Sequence, residues 1–183
     1  MALTATIYNF TIDLSDSDRG LYESFTLQLA QHPSESPEYF VTRMLAYCLE
    51  YAEGIAFSSG ISDPDEPTLA VRDLTGALRV WIEIGSPTAA RLHKASKAAG
   101  RVAVYTHKDP AQLLRQLEGE RIHKAETIEM FSFDRGLIAA LVEKLERRMA
   151  ITVSVADGHI LVALKDGTFE GAITRHRLSP STF

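Results

Sequence analysis

Three acids, Asp63, Asp65 and Glu66, crowd a proline-containing stretch of the sequence. A fourth, Glu83, follows inside an apolar run, and a basic ridge of Arg91, Lys94 and Lys97 comes next. Two or more carboxylates can hold Mg²⁺, a hard cation that prefers oxygen. Such a metal polarises a phosphate and helps to ionise water, while a lysine orients that water or stabilises developing negative charge. Together these residues have the makings of metal-dependent phosphodiester hydrolysis. A solvated acidic turn and a solvated basic helix face would use the same residue types, and both readings stand at this point.

Glu83 is the most informative of the set. It lies within Val80-Trp81-Ile82-Glu83-Ile84, where strand alternation puts Trp81, Glu83 and Gly85 on one face and Val80, Ile82 and Ile84 on the other. A carboxylate in such a strand is costly unless it is paired or bound to metal. Gly85 removes a side chain beside it and is expected to open space there.

The elements that must position these groups follow from periodicity and punctuation. Thr4 to Leu14 and Leu21 to Gln31 read as two strands around the Asp16–Gly20 turn, which predicts an N-terminal β-hairpin. His32 to Glu38 looks like a helix start, and Phe40, Met44, Tyr47, Cys48 and Tyr51 then recur at helical spacing to about Gly54. Ser58 to Gly60 and Asp63 to Pro67 form a loop. Thr68 to Arg72 and Leu78 to Ile84 are short strands around the Asp73–Gly76 turn. Ser86-Pro87 is expected to open a second helix that Gly100 ends. A strand at Val102 to Thr106, a helix from Asp109-Pro110 to about Gly119, a strand at Ile128 to Phe133 and a helix from Asp134 to about Arg148 come next. Ile151 to Val155, His159 to Leu164 and Thr168 to Thr174 then form a three-stranded meander, with Asp157-Gly158 and Asp166-Gly167 as tight turns. The polar tail from Arg175 to Phe183 is expected to fray. A mixed sheet flanked by helices, with an extra antiparallel layer, accommodates this order.

The totals bound the rest. A chain of 183 residues with 45% hydrophobic and 23% charged residues predicts one folded domain, 1–183. The single cysteine, Cys48, fits a cytoplasmic protein and reads as a buried small hydrophobe. No apolar run is long enough to span a membrane. A net charge of −5 argues against non-specific nucleic-acid binding by the whole surface, though not against a local basic groove. The six histidines show no zinc spacing, and neither a Gly-x-Ser-x-Gly elbow nor a glycine-rich phosphate loop occurs.

Several segments in order, Met1 to Tyr8, His32-Pro33-Ser34-Glu35, Asp65-Glu66-Pro67, Trp81 to Gly85, Val104-Tyr105-Thr106 and the stretch around Asp157-Gly158, resemble the bacterial YaeQ family along essentially the whole chain. The family resembles a divergent branch of the PD-(D/E)XK nuclease-like superfamily. That resemblance implies a variant restriction-endonuclease-like α/β fold and a site where a loop acid and a strand glutamate converge. The superfamily places a lysine two residues after the strand acid, where this chain has Gly85. Lys94 or Lys97 would then supply the cation. Thr68 follows Pro67, so the Pro-Asp pair is absent and a metal-binding acid would be Asp65 or Glu66, with Glu35 as a further carboxylate. On this reading Glu83, Lys94 and Lys97 are catalytic, Mg²⁺ is the cofactor, and Arg91 and Tyr105 contact a nucleic-acid substrate. The alternative is a non-catalytic module that binds nucleic acid or protein and retains the fold.

Overall fold

The computed structural model describes residues 4–58 and 63–178. The chain divides into two compact units, one of residues 1–49 and 133–174, the other of residues 50–132 and 175–183. In the first, strands β1 (Thr6–Asp16) and β2 (Leu21–Gln31) form the expected hairpin, in continuous antiparallel register from Thr6 opposite Gln31 to Asp16 opposite Leu21. Helix α1 (Pro37–Leu49) follows, with Ser36 Oγ accepting from the Tyr39 amide at its start. It ends at Leu49 rather than near Gly54.

The rest of this unit comes from the C-terminal half of the chain. Helix α4 (Arg135–Glu143) is capped by Asp134, whose carboxylate accepts from the Leu137 amide. It is shorter than expected, because Arg148 already belongs to β8 (Arg148–Ala156). β8 pairs parallel with β1 and antiparallel with β9 (His159–Leu164), and β9 pairs with β10 (Gly167–Arg177). The meander is therefore present. Asp157 and Gly158 both take positive φ, 52° and 68°, the backbone that a two-residue hairpin requires. The second turn is made by Lys165 and Asp166, with Gly167 as the first residue of β10. Alternate residues Phe10, Ile12, Leu14, Ile151, Val153, Ile160 and Val162 are buried, as are Phe40, Met44 and Leu45 of α1 and Leu137, Ile138 and Leu141 of α4. Cys48 is fully buried among them, and burial pushes its thiol up to about 12, against the opposing pull of Arg19.

In the second unit, β3 (Ile55–Phe57), β4 (Leu69–Arg72) and β5 (Leu78–Ile84) pair antiparallel in sequence order. Helix α2 (Ala89–Ala98) crosses over to β6 (Arg101–Thr106), parallel to β5, and α3 (Pro110–Leu117) leads on to β7 (Glu129–Phe133), parallel to β6. The short β3 lacked enough alternation to be predicted. Trp81, Val102, Val104 and Met130 of the strands pack with Leu92, Ala95, Leu113 and Leu117 of the helices in one core. Leu178 joins that core at 5% exposure. The expected fraying at Arg175 thus does not occur, because β10 runs to Arg177 and Leu178 anchors the chain just beyond it. Residues 179–183 of that tail, and Ser59 and Gly60 of the expected loop, lie outside the described residues.

The chain leaves the first unit after Leu49 and returns at Phe133, so neither unit is continuous in sequence. Cleavage near Met149 would separate β1 from most of β8, its parallel partner. Limited proteolysis coupled to mass spectrometry is therefore expected to release no stable fragment ending there, and thermal unfolding is expected to show one transition.

Candidate functional site

The site grows from the end of β5. Trp81 and Glu83 point to the same face, as alternation required, and both are buried, at 1% and 3% exposure. The indole Nε1 of Trp81 donates to Glu83 Oε1 at 2.6 Å, and Arg91 Nε pairs with Glu83 Oε2 at 2.8 Å. The Arg91 guanidinium also lies 5.7 Å from the Trp81 ring centroid, a cation–π contact. Its two remaining nitrogens turn to the acid-rich loop. Nη2 donates to the Glu66 carbonyl at 2.6 Å, and Nη1 to the carbonyls of Pro64 and Asp63 at 3.3 and 3.4 Å. One side chain thus ties the strand glutamate to the 63–66 loop.

Helix α2 positions Arg91. Its N-cap is Thr88, whose hydroxyl accepts from the Arg91 amide, so the helix starts after Ser86-Pro87 rather than at them. Gly85 has φ +86° and donates its N–H to the Tyr105 carbonyl at 2.8 Å. Its role is to take a left-handed backbone at the end of β5, where a side chain would be strained. A lysine two residues after Glu83 would meet that penalty.

The loop acids hold other partners. Asp63 accepts from the Asp65 amide at 2.8 Å, closing a local turn. Asp65 forms an exposed ion pair with Lys94. Glu66 contributes its carbonyl to Arg91, and it lines a nearby cavity of about 250 Å³ together with Pro67, Ala70 and Arg72. Lys97 is exposed on α2. Glu35 belongs to the first unit, where it pairs with Arg43 Nη2 at 3.0 Å. So the structure brings together Glu83, Arg91 and the 63–66 loop, and separately Asp65 with Lys94.

A magnesium ion needs several oxygen ligands at short range. Both Glu83 oxygens instead accept from N–H donors, one of them cationic. Among the described residues no group of three or more His, Cys, Asp or Glu could hold a metal ion. The donor set fits an ion pair and does not fit Mg²⁺.

Sequence reasoning missed a second buried carboxylate. Glu50, just past α1, is 7% exposed. Arg101 grips it with Nη1 at 2.6 Å and Nη2 at 3.0 Å, and Tyr105 donates its hydroxyl to it at 2.5 Å. Arg101 Nε reaches Glu129 at 2.5 Å, and Arg175 approaches the same carboxylate at 3.4 Å. Burial, and then the charge of Glu50, hold the Tyr105 phenol well above its usual value. Tyr105 is therefore a buried donor, stacked on Phe131 with centroids 5.1 Å apart. The available signal was parity: Arg101 and Tyr105 lie on one face of β6, and Glu129 and Phe131 share that face from β7, level with Ala103 and Tyr105.

A family model for the YaeQ protein matches residues 1–173. The chain belongs to the YaeQ family. It is 32% identical to YaeQ of Escherichia coli (strain K12) over 176 residues, 95% of this chain and 97% of that one. It is 33% identical to YaeQ of Salmonella typhi over 161 residues, 87% and 89% of the two chains. Both relatives are described as uncharacterized. The crystal structure of YaeQ from Xanthomonas axonopodis pv. citri superposes with a TM-score of 0.86 at 29% identity, over 96% of this chain and all of that one. That from Pseudomonas syringae gives 0.85 at 29% identity, over 93% and 95%. The mixed α/β architecture with helix-flanked sheets is thus shared with solved YaeQ proteins.

Two outcomes are expected for this YaeQ chain. Arg91→Ala leaves Glu83 buried with no cation, which costs about 3 kcal/mol at the low end for a broken buried pair, since Arg91 is partly exposed. Chemical denaturation should read that loss, and Glu83→Met with Arg91→Met should recover most of it. The second concerns His93 of α2, whose Nδ1 accepts from the His123 amide at 3.1 Å and must be unprotonated to do so. Desolvation, then Lys97, His123 and Arg121, lower its pKa below the ordinary 6.5. The unfolded chain therefore binds more protons just below pH 6.5, so stability rises with pH through that window and is lost as pH falls. His93→Ala is expected to flatten the slope in a melting series from pH 5 to 7.

Proposed function

We propose that this YaeQ protein is a non-catalytic binding module that keeps a nuclease-like meeting of strand glutamate and acid loop as a structural tie. The observation that carries this reading is the occupation of both Glu83 oxygens by Trp81 Nε1 and Arg91 Nε. The antiparallel β3–β4–β5 run with its α2 crossover to a parallel β6 supports descent from a variant restriction-endonuclease-like, PD-(D/E)XK-type core. A protein partner fits better than a nucleic acid. The net charge is −5, and of the basic ridge Arg91 is committed to Glu83 and Lys94 to Asp65. A buried Cys48 accords with a cytoplasmic setting.

One observation favours the second reading, a Mg²⁺-dependent nucleic-acid phosphodiesterase. Arg91 spans Glu83 and the 63–66 loop, so its departure would leave carboxylates and Lys94 in one neighbourhood. Purified protein separates the two readings. With Mg²⁺ or Mn²⁺ it is expected to cut neither DNA nor RNA, single- or double-stranded, and to give no saturable metal heat by titration calorimetry. Metal-dependent cutting by wild type that disappears in Glu83→Gln would overturn the proposal in favour of the enzyme.

A further inference from the structure

β2 is the end strand of the first unit's sheet, with β1 on one side and no strand on the other among the described residues. Natural edge strands are usually kept short, bulged, or supplied with lysine or proline, because an open row of amides and carbonyls invites another strand. β2 has none of these devices. Its eleven residues, LYESFTLQLAQ, contain one charge, no lysine and no proline, and its register with β1 is unbroken.

The direction of its backbone groups follows from β1. Asn9 N–H donates to the carbonyl of Arg147, the residue just before β8, so the odd residues of β1 face β8 and the even ones face β2. Their partners in register are the odd residues of β2, such as Phe25 opposite Ile12. The N–H and C=O of an antiparallel residue point the same way, so Tyr22, Ser24, Thr26, Gln28 and Ala30 aim theirs at the open edge. The Ala30 carbonyl confirms this direction, since it accepts from Arg43 at 2.7 Å. That leaves Tyr22 to Gln28.

We propose that this edge docks a second copy of the same chain, β2 against β2, antiparallel about a two-fold axis at Phe25. In that register Tyr22 faces Gln28 of the other copy and Ser24 faces Thr26, so every outward amide and carbonyl from Tyr22 to Gln28 finds a partner. Self-pairing is favoured by charge. The one ionised side chain, Glu23, falls opposite Leu27 and not opposite its own copy. Phe25, packed on Tyr47 of α1 with centroids 5.7 Å apart, meets Phe25 across the axis. Tyr22, 65% exposed, gains a neighbour. The interface is isologous and therefore closes at a dimer.

Analytical ultracentrifugation of the full chain tests this, with wild type expected at twice the monomer mass. Thr26→Pro removes an outward N–H that β1 does not use, so it should keep the wild-type circular dichroism and melting while sedimenting as a monomer. Cysteine cross-linking reads the register independently. Phe25→Cys places two Cα atoms at a non-hydrogen-bonded pair, about 4.5 Å apart, and should give a covalent dimer on oxidation. Glu23→Cys puts the pair roughly 13 Å apart at the strand rise and should not. The buried Cys48 does not compete. A monomeric wild type, a dimeric Thr26→Pro, or cross-linking at 23 in place of 25 would each overturn the proposal.

Discussion

A carboxylate carried into the interior by an apolar strand must be neutralised and its lone pairs satisfied, or the strand cannot stay buried. At the end of β5 that demand falls on Arg91, and much of the second unit depends on the answer. A lysine could supply the charge but not the geometry. The planar fork of arginine offers five N–H groups in fixed directions, and here one edge serves Glu83 while the rest hold the loop backbone at Asp63, Pro64 and Glu66. Strand, helix and loop are fastened by one side chain. The loop consequently shows carbonyls, not carboxylates, to the Arg91 guanidinium, while the Asp65 carboxylate turns to Lys94 and that of Asp63 to its own turn.

Much of this architecture was legible because it rests on local rules. Alternation placed Trp81 beside Glu83 on one face, Asp157-Gly158 marked a turn that needs positive φ, and Asp109 and Asp134 marked helix starts they do cap. What was not legible depends on distance. Parity puts Arg101 and Glu129 on one face, but only the parallel register of β6 and β7 and the position of Glu50 make them a network. The reach of α4 was overestimated because helical spacing persists up to Arg148, which β8 recruits to pair with Asn9 of β1, 139 positions away. The tail was misjudged because Leu178 has no local partner and is buried by the core it joins.

That Arg91 and not Lys94 meets Glu83 has a readable cause. Arg91 is the third residue of α2, where a cation opposes the helix dipole. A basic residue there is favourable only beside a compensating acid, and the three-residue link from Gly85 leaves Glu83 within reach. Lys94, one turn further along, sits over the loop instead. The N-cap decides which cation is which. A helix starting at Ser86-Pro87 would put Lys94 in a different place relative to β5 than one starting after Thr88.

The two buried carboxylates of the second unit bear on chemistry in the same way, although they lie on opposite faces of its sheet. Glu83 lies level with Val104 on the side of α2, and Glu50 is held by Arg101 and Tyr105 on the other. Each has an arginine and an aromatic N–H or O–H donor, so each has its oxygens occupied. General acid–base work asks for the reverse, a group with an open line to substrate. A ligand could use either carboxylate only after an arginine had left, and that departure would uncover the buried charge that the arginine was placed to neutralise. The same contacts that hold the unit together thus occupy both carboxylates, and a partner would be met on surfaces that the ion pairs leave alone, such as the open edge of β2.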